Sequence, residues 1–166
     1  FIPVAEKSGL IVRLGEWCLV KAAIQAKHLS EAGINTKIAV NVSRAQLTAP
    51  KFSKALYTAL VVSGVAPELI ELEITESLFM DVSELVQNHL RDAIEMGVSL
   101  SIDDFGTGYS CLATLKDIPA SKLKIDRAFI APLPADQRVF SMVKAITQLG
   151  HELGMTVVAE GVENNA

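Results

Sequence analysis

The first limits on this sequence come from what is scarce in it. No apolar run approaches the ~20 consecutive residues that a membrane-spanning helix needs. The opening, Phe1-Ile2-Pro3-Val4-Ala5-Glu6, has neither the basic flank nor the cleavage pattern of a secretory signal. Cysteine occurs twice, at Cys18 and Cys111, far apart and without Cys-x-x-Cys spacing. That pattern argues for buried thiols in a reducing compartment, the cytoplasm, and against a disulfide framework. Basic residues number 15 against 19 acidic ones, a net charge of -4, which argues against passive attraction to duplex nucleic acid. Low-complexity segments and long linkers are absent too. What is present is an ordinary globular balance, half apolar and one fifth charged, in 166 residues, enough for one core. Both ends look cut: Phe1-Ile2-Pro3 begins inside a structured pattern, and Glu163-Asn164-Asn165-Ala166 follows directly on a strand pattern. The expectation is a single partial domain, residues 1–166, of a larger protein.

Helix and strand patterns alternate along the chain. An amphipathic helix is expected from about Leu14 to Ala32, with Lys21, Gln25 and His28 on one polar stripe and Gly33 ending it. Further helices are expected over Pro50–Ser63, from a Ser83 cap to Met96, and from an Asp136 cap to Gly154. The last of these would bury Val139, Met142, Val143, Ile146, Leu149 and Leu153. Strands are expected at Lys37–Val42, Leu69–Thr75, Val98–Asp103, Lys122–Asp126 and Met155–Glu160. A glycine-rich loop and a short helical turn should separate the third strand from the fourth.

Strict alternation means parallel strands with right-handed crossovers. A doubly wound sheet buries both strand faces and reads as continuous apolar runs. These strands alternate instead. Ile70, Leu72 and Ile74 oppose Glu71 and Glu73; Val98, Leu100 and Ile102 oppose Ser99, Ser101 and Asp103; Leu123 and Ile125 oppose Lys122, Lys124 and Asp126. A polar second face favours an α/β fold of the modified (β/α)8 TIM-type barrel, incomplete here, with about five strand-helix units.

Each strand ends in a polar residue on the proposed inner face: Asn41, Glu73, Asp103, Lys124 and Glu160, with Asp104 directly after Asp103. Active sites of parallel α/β folds form at these C-terminal strand ends. Four carboxylates at one rim repel, and one lysine does not balance them. Hard divalent cations such as Mg2+ or Mn2+ do, and carboxylate and amide oxygens are the ligands they prefer. Two such ions bridged by a carboxylate serve phosphoester hydrolysis. The competing reading is that each acid pairs with a lysine of a neighbouring strand. The three histidines, His28, His89 and His151, fall on helices away from strand ends and are expected at the surface or at helix termini. Trp17 and Phe129 are expected in the core.

The stretch Asp103-Asp104-Phe105-Gly106-Thr107-Gly108-Tyr109-Ser110 resembles the DDFGTGYS signature of the EAL domain family. Four further stretches are similar to that family in the same order: Asn41-Val42-Ser43, Glu71-Leu72-Glu73-Ile74-Thr75-Glu76-Ser77, Leu123-Lys124-Ile125-Asp126-Arg127, and Val157-Val158-Ala159-Glu160-Gly161-Val162-Glu163. Phe1-Ile2-Pro3-Val4-Ala5-Glu6 is similar to the first barrel helix of the family.

The resemblance implies a barrel that linearises cyclic di-GMP to pGpG with two Mg2+ or Mn2+ ions. By it, Asn41, Glu73 and Asp103 bind one ion, and Asp103, Asp104 and Glu160 the other, with Asp103 as the bridge. Lys124 and Glu160 would be catalytic, Lys124 holding the attacking water or steadying the phosphate charge. Glu76 would anchor the loop after the aspartate pair, and Glu163 and Asp126 would support the ligands. A homodimer through that loop is implied, as are diguanylate-cyclase or sensory domains elsewhere in the parent. Cys111 and Ala128 stand where the family usually has serine. The Glu-Ala-Leu tripeptide, whose glutamate is a further ligand, is expected to precede Phe1, so the chain alone should turn over weakly or not at all. The alternative is a catalytically inactive member that binds cyclic di-GMP or a protein partner as a sensor.

Overall fold

The computed structural model describes residues 1–81, 83–106, 115, 120–133 and 135–162. The chain divides into two compact units, Phe1–Glu73 with Asp81–Ser99 and Ile74–Met80 with Leu100–Ala166.

The first unit opens with helices α1 (Ile2–Lys7) and α2 (Leu10–Glu31). Gly9, in the left-handed region at φ 74°, makes the corner between them, a conformation glycine adopts without steric penalty. α2 starts four residues earlier than its polar stripe suggests, because Leu10 and Ile11 extend the helix towards that corner. Strand β1 (Ile38–Asn41) follows. Next comes a four-residue helix, α3 (Arg44–Leu47), which a reciprocal capping box of Ser43 and Gln46 sets up. α4 (Phe52–Ser63), β2 (Ile70–Thr75) and α6 (Glu84–Glu95) come next; α5 (Glu76–Phe79), between the last two in sequence, belongs to the second unit, as does the end of β2.

α2 packs on α4 and on β1, and α4 on α6. Ala23, Ala26 and Ala59 let these backbones approach, and Leu56, Leu60, Val86 and Leu90 fill the space between. Each fully buried leucine of this kind contributes roughly 1.5–3 kcal/mol over its exposed state. β1 and β2 pair in parallel, Ile38 opposite Ile70 and Asn41 opposite Glu73.

In the second unit β3 (Ser99–Phe105), β4 (Lys122–Ile125) and β5 (Thr156–Ala159) lie in parallel, β4 between its sequence neighbours. A short helix, α7 (Arg127–Ile130), follows β4, and α8 (Gln137–Glu152) returns to β5. In both units sequence neighbours are sheet neighbours, which is how a (β/α) barrel is wound. Asp136 caps α8 through its carboxylate, which accepts from the Arg138 and Val139 amides at 2.9 and 3.1 Å.

Four expectations need correction. Trp17 is 58% exposed rather than core, lying with Lys21 Nζ 5.9 Å from its ring centroid on the outer face of α2. His89 is buried, not at the surface: it shares the α6 stripe of Val86, Leu90 and Ala93, its Nδ1 lies 2.8 Å from the Leu47 carbonyl oxygen, and its ring packs on Phe52. α8 buries less than its pattern suggests. Met142 and Leu153 are exposed and Val139, Val143, Ile146 and Leu149 half-buried, because β4, β5 and α7 are the elements it packs on among the described residues. Phe129 is half-buried rather than core, its ring against Gly106.

Among the described residues no helix is long and apolar enough to cross a membrane.

Candidate metal centre

The polar ends of β1 and β2 are the simpler part. β2 alternates to its end, with Leu72 and Ile74 buried on one face and Glu73 half-buried on the other. Parallel pairing puts Glu73 opposite Asn41, and the Val42 amide donates to the Glu73 carbonyl at 2.9 Å. These two oxygen-bearing side chains therefore sit on adjacent strands at one level. Glu71, one step lower on the same face, is a buried carboxyl, 1% exposed, that the sequence reading did not single out as a site residue.

The end of β3 is built differently. Along a regular strand, successive side chains point to opposite faces, so Asp103 and Asp104 could not share one. Between the pairs Ile102–Leu123 and Phe105–Ile125 the register slips, three steps on β3 against two on β4. This is a β-bulge, the usual device for re-aiming a side chain next to a site. Asp104 takes up the extra residue in the left-handed region, φ 54°, where aspartate is among the better-tolerated side chains. Its amide donates to Asp103 Oδ1 at 3.1 Å.

The bulge brings the two aspartates and Glu160 together. A carboxylate oxygen of each lies within 4.8 Å of the others. Glu160 follows β5 directly and is tied to β4 by its amide, which donates to the Ile125 carbonyl at 3.1 Å. Lys124, on the middle strand, reaches two of the three acids: Nζ is 3.0 Å from Asp103 Oδ1 and 2.6 Å from Glu160 Oε1. At a 4.8 Å separation two like charges cost about 3.5 kcal/mol for each pair at an effective dielectric near 20, and with one ammonium the three carboxylates stay two positive charges short of neutrality. Asp104 is the acid that feels the crowding. Burial, then the Asp103 charge, a hydrogen bond to Asp126 and the charges of Asp126 and Glu160 push its carboxyl above the ordinary aspartate range. Three hard oxygen donors, crowded and short of positive charge, fit a divalent cation of the Mg2+ or Mn2+ type.

Around the cluster, Glu76 is 2% exposed, and its Oε2 accepts from the Gly106 amide at 2.9 Å, holding the first residue past β3. Asp126 caps α7 through the Ala128 amide at 2.7 Å. Glu163, Cys111 and the loop residues 107–114 lie outside the described residues. Of the expected site residues, the second unit thus unites Asp103, Asp104, Lys124, Asp126 and Glu160, and the first pairs Asn41 with Glu73. The clue to the bulge in the sequence is the Asp-Asp pair itself, two polar residues where alternation allows one.

Residues 1–166 match the sequence model of a family described as EAL domain. The chain is 44% identical over 167 residues to the bifunctional diguanylate cyclase/cyclic di-GMP phosphodiesterase MucR of Pseudomonas aeruginosa, covering 100% of this chain and 24% of that protein. It is 39% identical over 166 residues to the signaling protein YkoW of Bacillus subtilis, covering 100% of this chain and 21% of that protein. The chain thus spans a quarter or less of the length of these relatives. Among solved structures, a MucR phosphodiesterase complex with c-di-GMP superposes with a TM-score of 0.94 at 43% identity, covering 99% of this chain and 67% of the other.

Proposed function

The chain belongs to the EAL domain family, and from that premise we propose that its parent hydrolyses cyclic di-GMP to linear pGpG with two divalent cations, Mg2+ or Mn2+, held by this domain. The observation that carries the reading is the convergence of Asp103, Asp104 and Glu160 within 4.8 Å around a single bulged strand end. Likeness to proteins named as cyclic di-GMP phosphodiesterases supports the substrate.

In this reading Asp103, Asp104 and Glu160 hold one cation and Asp103 is shared with the other, for which the family resemblance assigns Asn41 and Glu73. Bound cations supply positive charge to the phosphoryl oxygens and acidify a water. Lys124, fixed between Asp103 and Glu160 at 3.0 and 2.6 Å, holds the attacking water or steadies phosphate charge. Opening one phosphodiester of the ring leaves a phosphomonoester, and the added negative charge needs such a cationic group. Glu76 keeps the backbone after the aspartates in place, and Asp126 and Glu163 support the ligands. We place the domain in the cytoplasm, as a homodimer through the loop after Asp103-Asp104, in a parent with cyclase or sensory domains.

The test is to incubate the parent protein with cyclic di-GMP and Mg2+ or Mn2+ and to separate the products by chromatography. Linear pGpG is expected. Tight cyclic di-GMP binding with no product under either metal would replace catalysis with a sensor role.

A further inference from the structure

Strand β3 leaves the sheet through two backbone conformations that do not hold themselves. Asp104 is left-handed at φ 54° and Gly106 lies at φ 101°. Such geometry persists where the surroundings over-determine it. The Glu76 carboxylate holds the Gly106 amide from one side. The other side is closed by Phe129: a methyl group built on Gly106 would lie 2.8 Å from Phe129 Cε2 and 3.1 Å from Cζ, so the ring rests directly on the Gly106 backbone. A second contact of the same kind occurs next to Glu160. Gly161 is left-handed at φ 71°, and a methyl there would lie 2.5 Å from Arg127 Cγ. Both covering side chains come from α7, two residues apart. Asp126 alone separates that helix from β4, and its first turn is fixed by the Asp126 carboxylate on the Ala128 amide and by the Phe129 amide donating to the Asp126 carbonyl at 3.0 Å.

We propose that the α7 turn positions the acidic cluster, the Phe129 ring pressing on Gly106 and the Arg127 stem on Gly161, so that the segments carrying Asp103-Asp104 and Glu160 keep one spacing relative to Lys124. Phe129 and Arg127 are positioning residues in this scheme. The inference rests on the metal reading of the cluster, and its first readout is independent of metal. Removing the ring frees Gly106, lets the bulge relax, and moves Asp104 relative to Asp103 and Glu160. Groups that orient metal ligands change metal affinity by about 10–100-fold when altered.

The experiment uses the parent protein, isotopically labelled, as wild type, Phe129→Ala, Phe129→Leu and Phe129→Tyr. Amide hydrogen exchange at Gly106 is read without metal, and Mn2+ affinity by calorimetry. Phe129→Ala is expected to speed Gly106 exchange and to weaken Mn2+ binding, each by about tenfold or more, while Phe129→Tyr, which keeps the ring, stays near wild type on both. Should the alanine variant not fold, Phe129→Leu retains bulk without a flat ring and is expected to follow alanine in direction. Unchanged Gly106 exchange in both truncations overturns the proposal. So does faster exchange with unaltered Mn2+ affinity, since Phe129 would then be local packing alone. A wild-type parent protein that binds no Mn2+ sinks the metal reading instead, and Gly106 exchange by itself then decides whether the ring clamps the bulge.

Discussion

At Glu73, strand β2 is still regular: buried Leu72 and Ile74 flank it on the opposite face, its Cα pairs with that of Asn41, and one acid is presented. At Asp103, β3 has left regular pairing, and two successive acids end up beside Glu160. Alternation allows one inward residue per strand end. A second at the next position requires a bulge, and the bulge brings a left-handed aspartate, crowded charge and backbone that other residues must hold. The regular end is cheap to fold and presents one carboxylate; the bulged end is strained and presents two. The largest expected effect on function follows from that. Asp103→Asn removes the acid assigned to both cations and should lower Mn2+ affinity by about 100-fold or more, about 2.8 kcal/mol, and abolish turnover in the parent. Glu73→Gln removes an acid assigned to one cation and should cost about tenfold. Calorimetric titration of both variants checks the order, and equal losses would erase the distinction between the two ends.

The next contrast lies in the glycines. Gly106→Ala puts a side chain at φ 101° and 2.8 Å from the Phe129 ring, and should destabilise the chain by roughly 3 kcal/mol or more. Gly154→Ala has φ 73° with nothing within 4 Å, so it meets only the left-handed penalty, about 1 kcal/mol. Urea denaturation gives both values, and a Gly106→Ala cost no larger than that of Gly154→Ala would show that the ring yields freely.

The regular parts were legible in the sequence because their cause is local. Period-two alternation placed Glu73 and Lys124 on the polar faces of β2 and β4, and Asp136 announced the start of α8 by its type and position. Beyond the hint of the Asp-Asp pair the bulge was not legible, because it is defined by counting residues on β3 against β4, a comparison that exists only after pairing. His89 shows a mixed case. The spacing Val86, His89, Leu90, Ala93 places it on the buried stripe, whereas its polarity argues for the surface; the Leu47 carbonyl that resolves the conflict is 42 residues away. Phe129 likewise reads as an ordinary core aromatic until Gly106 is seen beneath its ring.

Charge crowding at the bulged end should also appear as a pH effect in the absence of metal. The folded chain holds the Asp104 proton to higher pH than the unfolded chain does, since burial and the Asp103 charge raise its carboxyl. The native state therefore binds more protons between the two values, and stability falls as pH rises from the ordinary aspartate range through the raised value, then levels. Asp104→Asn removes this slope and should make the metal-free chain more stable than wild type at neutral pH. Mg2+ should stabilise wild type more than the variant. Parallel pH-dependent denaturation curves for the two proteins would contradict the assignment.

The smallest expected effect concerns the layer just below. Ser101 lies on the same β3 face as Asp103, two residues earlier, where the strand is still in register with Lys122. It is fully buried, and its hydroxyl has no hydrogen-bond partner among the described residues. A buried hydroxyl without a partner keeps its desolvation cost and returns nothing for it, typically 1–3 kcal/mol for an orphaned group. Ser101→Ala deletes one oxygen and leaves the strand unchanged, so the transfer gain and the small void nearly offset, and the variant should be neutral to about 1 kcal/mol more stable. The regular stretch of β3 would then tolerate the change without altering Mn2+ affinity, in contrast to any substitution two residues further on. If Ser101→Ala instead lost 1 kcal/mol or more by urea denaturation, the hydroxyl would have a bonding partner in solution, and β3 below the bulge would be a polar layer in its own right.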